Sequence, residues 1–434
     1  MAMEPSVIEE VRLGSFKSFR DAVLPLDAFT LLVGRNGSGK SNALDALWVL
    51  ARLASGEDIR DALDGGRDGP AVRGGVVGSA PFGEPAFSLG CSVRTGEEVV
   101  RLDVTVQVEP VVQVLQEKLA IGADVVLETD PASMDSADIV AAWSNQKPGH
   151  TQKKENFRAG RLLTTQVLSR IPATGPGQQI HVAAAQVLAA LQAVFVLDPV
   201  PHLMRQYVPR RDMLLRRNAD NLSAAVASLI EAGPTKELLR TALMNLNEQR
   251  IDDITMSSSE LDDVMLTLSE RQDRKKHPVP ARLMSDGSLR FLAILVALLQ
   301  APTETAPEEV ASEDALGQTT LVIEELENGL HASQAGTLIG LIRDQVQTRR
   351  VRALATAHSP ALLDALTGSE HRTVIVCERD SNGRSTLSRL VDLPGYVNVV
   401  AGGGLGRAAV ADELRATPEA KPARELLDEI LGPR

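Results

Sequence analysis

Apolar and polar positions change period several times along the chain, and each change marks an element. Val7 to Leu13, Ala22 to Leu26 and Phe29 to Val33 are short apolar or alternating runs, which predict strands. Ala43, Leu44, Leu47 and Leu50 then recur at three- and four-residue steps, so an amphipathic helix is predicted over Leu44–Leu53. Phe87–Val93 and Val99–Val108 alternate around Thr95-Gly96, the pattern of an antiparallel hairpin. A helical period returns from Ala183 to Val194 and again from Leu222 to Ile230, with a strand predicted over Val194–Leu197. Phe291 to Leu299 is wholly apolar and predicts a buried helix, while Thr320–Ile323 and Ala353–Thr356 predict buried strands. The Gly-rich section Gly65–Gly83, the polar stretch Ser144–Lys154 and the Pro-, Ala- and acid-rich Thr303–Gln318 predict loops and a connector. The sequence contains no internal repeat and no heptad run long enough for a coiled coil.

Composition narrows the function classes. A chain of 434 residues can hold two or three domains, or one large domain with an insertion. Net charge is -12, which disfavours a surface that grips nucleic acid throughout but leaves room for a local basic stripe. With 3% aromatic residues there is little material for a base-stacking platform. Cys91 and Cys377 stand far apart, without metal-ligand spacing, and fit a reducing cytosol. The apolar run Phe291–Leu299 is far shorter than the roughly 20 residues that span a bilayer. The N-terminus lacks the basic start and apolar core of a secretion signal. The expectation is a cytoplasmic protein with no membrane partner.

The densest chemical signal is Gly34-Arg-Asn-Gly-Ser-Gly-Lys-Ser41, set between a predicted strand and a predicted helix. Glycines at Gly34, Gly37 and Gly39 let backbone N–H groups approach an anion, and the helix N-terminus adds favourable partial charge. In this arrangement Arg35, Asn36, Ser38 and Asn42 border the phosphates, Lys40 meets the β and γ phosphates, and Ser41 ligates Mg²⁺. Leu321-Val-Ile-Glu-Glu-Leu-Glu327 is an apolar strand ending in carboxylates. Glu324 is the candidate for the metal and Glu325 for polarising the attacking water. His358 follows another short strand, where an imidazole could hydrogen-bond the γ-phosphate. Ser285, Asp286 and Gly287 precede the Phe291–Leu299 helix, offering either a capped helix or an anion site.

Together these parts resemble the ABC-type ATPase heads of the RecF/SMC-like group, especially stand-alone AAA-labelled bacterial ATPases. The resemblance rests on the order of motifs: the phosphate loop, Ser285-Asp-Gly-Ser, Glu324-Glu-Leu-Glu-Asn-Gly-Leu-His331, and His358. Gly14-Ser-Phe-Lys-Ser-Phe19, Val196-Leu-Asp-Pro199, Asn218-Ala-Asp-Asn-Leu222 and Gly403-Gly-Leu-Gly406 are similar as well, and the likeness is weakest over 111–173. Leu326 departs from the usual proline, and Gln166 is one candidate for the glutamine-loop residue.

The resemblance implies an α/β P-loop NTPase fold of ABC/RecF-like architecture. It has a mixed sheet with flanking helices, an antiparallel β subdomain and an inserted helical lobe. The implied division is 1–110 for the N-terminal ATPase lobe, 111–280 for a largely helical insert, and 281–434 for the C-terminal ATPase lobe. It further implies ATP and Mg²⁺ as ligands and a homodimer closed by ATP. Ser285 and Gly287 would act across the seam, with Asp286 between them also counted with the nucleotide site, Lys40, Ser41, Glu324, Glu325 and His358 acting within one copy, and Asn328 to His331 lining the seam. Relatives act on DNA or accompany a nuclease or toxin in phage defence, so DNA and an effector encoded nearby are candidate partners. Two basic clusters, Arg205 with Arg210, Arg211, Arg216 and Arg217, and Arg271 with Arg274, Lys275 and Lys276, are candidate phosphate contacts or ordinary solvated surface. Alternatives are a RecF-type repair ATPase and an ATPase-nuclease of the overcoming-lysogenization-defect kind, the latter hinted at by Glu378 and Asp380. Too few residues follow them for the extra domain, and the long middle lobe disfavours a transporter-coupled ATPase.

Overall fold

The computed structural model describes residues 5–66, 70–135, 137–144, 152–231, 233–246, 250–272, 275–300, 317–348, 351–402, 404–411 and 413–414. One mixed sheet of 14 strands organises it. At one end of it Val194–Leu197, Thr319–Ile323, Val351–Ala357, Phe29–Val33 and Val374–Arg379 lie side by side and parallel. Such strands must be covered on both faces, and they read as unbroken apolar runs: Phe29–Val33 and Thr319–Ile323 are buried at every position.

Alternation along each strand sends neighbours to opposite cores. Leu32, Val322, Leu354 and Ile375 join one core with the helices Lys40–Ala54 and Pro176–Gln192. Leu31, Val33, Leu321, Ile323, Ala353 and Ala355 join the other with the helices Asp286–Gln300 and Ala335–Thr348. The loops at the C-terminal ends of these five parallel strands therefore open onto one rim, where ligands of open α/β sheets bind.

Beyond Ser385–Arg389 the sheet continues through Phe19–Pro25, Val7–Phe16 and an antiparallel arm from Ala86–Thr95 to Lys153–Arg158. The predicted hairpin is the start of this arm, with Thr95 opposite Glu98. Residues 111–280 differ from the largely helical lobe expected. Gln113–Ile121, Asp124–Asp135, Asp138–Trp143 and Lys153–Arg158 are strands, and Arg250–Ser258 with Asp263–Gln272 forms a second small sheet. Helices occupy Pro176–Gln192, Leu222–Ile230 and Gly233–Leu246. The strand pattern is masked in the sequence because Glu117, a charged residue, takes a fully buried position in Gln113–Ile121. The connector expected over Thr303–Gln318 lies outside the described residues up to 316, and so does most of the polar stretch after Ser144.

Candidate nucleotide site

The loop 34–39 leaves the buried strand Phe29–Val33 and enters the helix Lys40–Ala54, whose first turn carries no acid to repel an anion. Gly34 has φ +149°, and a Cβ there would stand 2.1 Å from the Cys377 carbonyl oxygen, so only glycine fits. Lys40 Nζ donates to the carbonyls of Gly34 at 2.7 Å and Arg35 at 2.8 Å. Burial pulls its pKa down, partly opposed by Glu327, Glu325 and Glu324.

Opposite the loop, the Ser41 hydroxyl donates to Glu324 Oε1. Glu324 also accepts Arg73 Nη1 at 2.9 and 3.1 Å. Arg73 binds Asp45 at 2.9 Å and the Ser41 carbonyl at 3.2 Å, and Asp45 is held a second time by Lys17 Nζ at 2.7 Å. Arg73 and Lys17 were not singled out in the sequence. Lys17 lies in the Gly14–Phe19 segment that resembles the family, whereas Arg73 sits in a Gly-rich stretch without period.

Glu325 stands in left-handed backbone at φ +52°, an uncommon conformation for a side-chain-bearing residue. Two strand contacts hold it: its N–H donates to Thr356 Oγ1 at 2.8 Å, and the next N–H, of Leu326, donates to the Thr356 carbonyl at 2.9 Å. A proline at 326 could not make the second bond. Asn328 Nδ2 donates to Glu325 Oε2 at 3.1 Å, and the His358 N–H donates to Glu327 Oε1. Burial and the nearby Lys40 charge hold His358 below its ordinary pKa, against smaller opposing effects of Glu327, Glu325 and a Gly34 backbone hydrogen bond.

Asn36, Gly37, Gly39, Lys40, Ser41, Asn42, Glu324, Glu325 and His358 line one cavity of about 310 Å³. Gly34, Arg35 and Ser38 line an adjoining one of about 460 Å³. Among the described residues no group of His, Cys, Asp and Glu is large enough to form a protein-only metal cluster. A hydroxyl and one carboxylate beside a phosphate cradle nevertheless match the donor set of Mg²⁺, which takes few protein oxygens and fills its remaining positions with phosphate and water. The unpaired, buried Ser38 Oγ inside the loop is a further polar group suited to a polar ligand.

Ser285, Asp286 and Gly287 line neither cavity. Ser285 Oγ accepts the Ser288 N–H at 3.1 Å, capping its helix, and Asp286 pairs with Arg205 at 2.6 Å. Gly287 packs on the turn after the acid strand, where a Cβ would lie 2.0 Å from the Gly329 carbonyl oxygen. Gln166 stays in the antiparallel arm, its amide exchanging hydrogen bonds with the Arg158 backbone at 3.0 Å.

The basic clusters are largely paired: Arg210 with Asp262, Arg216 with Asp212 and Asp220, and Arg271 with Asp252. The Arg217 guanidinium lies 3.7 Å above the Trp48 ring. Arg274 lies outside the described residues. Asp380 Oδ1 accepts the N–H groups of Asn382 and Arg384, which gives it a role in closing its own turn. Cys91 and Cys377 are free and buried, and burial pushes their thiols up to about 12 and about 11.

Residues 192–364 match the family model described as "AAA domain, putative AbiEii toxin, Type IV TA system", and residues 7–70 match "AAA ATPase domain". Both segments are thus similar to AAA-type ATPase domains. The two matched segments hold the loop and the acid and histidine strands, while the antiparallel arm falls between them.

The chain is 41% identical over 54 residues to the chromosome partition protein Smc of Methanococcus voltae, a match covering 12% of this chain and 4% of that protein. Solved structures similar to it include an Smc head bound to the C-winged helix domain of ScpA, with TM-score 0.44, 15% identity, and coverage of 88% of this chain and 97% of that one. The SMC head domain from Thermotoga maritima gives TM-score 0.41 and 12% identity, covering 88% of this chain and 98% of the other. Among the described residues no helix is long and apolar enough to cross a membrane.

Proposed function

We propose that this head is a Mg²⁺-dependent ATP hydrolase whose nucleotide cycle closes and opens a homodimer in the cytoplasm. The observation that carries the reading is the meeting of Ser41 with Glu324 beside Lys40, in a cavity that also holds Glu325 and His358. Lys40, already partly desolvated, is suited to a phosphate that restores its full charge. Glu325, set in place by Thr356 and Asn328, is the group to take a proton from the attacking water. His358, kept neutral by its surroundings, can offer a hydrogen bond without adding charge.

Ser41 and Glu324 would hold Mg²⁺, which when bound neutralises phosphate charge. Ser285 and Gly287, which line neither cavity of their own copy, are available to a nucleotide held by a second copy. Release of the terminal phosphate would remove that bridge and reopen the pair. Such a cycle suits an ATPase that licenses a partner effector, as in DNA-associated or phage-defence systems. ATP turnover of the purified chain, with Lys40→Ala and Glu325→Gln beside it, tests the reading. Lys40→Ala should lose binding, and Glu325→Gln should retain ATP while hydrolysing it at least about a hundredfold more slowly. Full turnover by Lys40→Ala would remove the loop from the mechanism.

A further inference from the structure

The cations around the nucleotide cavity differ in what they already hold. Arg73 is committed to Asp45, Glu324 and the Ser41 carbonyl. Lys40 donates to two loop carbonyls. Arg379 borders the same space, is exposed, and makes no ion pair among the described residues. It also lines the larger adjoining cavity, so it stands where the two meet, together with Asn36, Gly37 and His358. Ser41 and Asn42 line only the smaller cavity, which places the junction at the end of the loop away from the helix.

The strand that carries Arg379 is fixed against the loop. Cys377 Sγ contacts the Ser38 carbonyl at 3.5 Å, and Ser385 Oγ, on the strand that pairs with it, donates to that same carbonyl at 2.5 Å. Side chains two apart on a strand share a face, so Arg379 leaves the sheet on the loop side, as Cys377 does. The strand fixes the backbone of Arg379 beside the loop, and the planar fork of its guanidinium suits phosphate oxygens.

We propose that Arg379 is a second phosphate-binding cation of this head, contacting the terminal phosphate of a triphosphate held by its own loop. The proposal rests on the ATP reading above. A cation at that phosphate distinguishes ATP from ADP, because ADP lacks the group it meets.

Competition against a fluorescent ATP analogue gives ATP and ADP affinities for the full chain, Arg379→Ala, Arg379→Lys and Lys40→Ala, with thermal melting as a folding control. Arg379→Ala should bind ATP roughly tenfold more weakly and ADP within about twofold of the parent, with Arg379→Lys in between. An unchanged ATP-to-ADP ratio, or an equal loss for both nucleotides, overturns the proposal. If Lys40→Ala still abolishes binding in that case, the ATP reading survives. Failure of the parent chain to bind either nucleotide would overturn both.

Discussion

Ser41 donates a hydrogen bond to Glu324 across a sequence separation of 283 residues. This bond joins the start of the loop helix to the end of a strand two positions away in the sheet, and it places two hard oxygen donors side by side. Ser41→Ala removes one of them and leaves Glu324 to Arg73. Mg²⁺ should strengthen ATP binding by the parent chain and add far less to Ser41→Ala. Calorimetric titration with Mg²⁺ or with chelator checks this, and equal enhancement in both proteins would take Ser41 out of the metal site.

Leu326 stands where the resembling family has proline. Restoring that proline removes the 2.9 Å bond from the Leu326 N–H to Thr356 and restricts the residue before it. Glu325, at φ +52°, would be driven from its present conformation. Leu326→Pro should cost about 1 kcal/mol of stability from the lost bond and slow hydrolysis, with ATP affinity nearly unchanged. Parent-like turnover would show that Glu325 does not depend on this backbone geometry.

Asp45 is almost fully enclosed, with a side chain 3% exposed, and is shared by Lys17, itself 8% exposed, and Arg73. Asp45→Asn would leave a buried ammonium without its counter-charge. The expected loss is about 3 kcal/mol in urea unfolding. A loss near zero would mean that Lys17 turns outward to solvent when released.

Glu117 ties the antiparallel arm to the turn at Leu163–Thr164. It accepts both backbone N–H groups and the Thr164 hydroxyl at 2.6 Å. Burial pushes its carboxyl from the ordinary 4.5 up to about 7, against those three bonds. Its folded pKa is raised, so its contribution to stability is complete below the unfolded value and is lost as pH rises through about 7. Glu117→Gln does not titrate. The stability advantage of the parent over Glu117→Gln should therefore shrink by about 3 kcal/mol between about pH 4 and pH 8. A gap independent of pH would contradict the raised value.

Much of the central fold was legible because parallel strands buried on both faces write unbroken apolar runs, as in Phe29–Val33 and Thr319–Ile323. The loop helix was legible from its apolar stripe. The arm beyond its first hairpin was not, since Glu117 interrupts the apolar pattern at an inward position and Lys153–Arg158 is mostly polar. In the site, the residues adjacent to strong punctuation (Lys40, Ser41, Glu324, Glu325 and His358) could be read directly. Arg73 and Arg379 could not, because Arg73 meets Glu324, and Arg379 the cavity, only through sheet order and loop placement. Arg216, although exposed, pairs with Asp212 and Asp220, and Arg217 stacks on Trp48, a contact that only the fold brings about.

The proposed cycle requires that a nucleotide held by one copy be met by the Ser285–Gly287 segment of another. Glu325→Gln, mixed with ATP and Mg²⁺ and examined by light scattering after size exclusion, tests this directly. Its mass should double with ATP and not with ADP, and Ser285→Arg added to Glu325→Gln should abolish the doubling while ATP binding persists. A single-chain mass for Glu325→Gln at saturating ATP, or an undiminished dimer in the double variant, would contradict it.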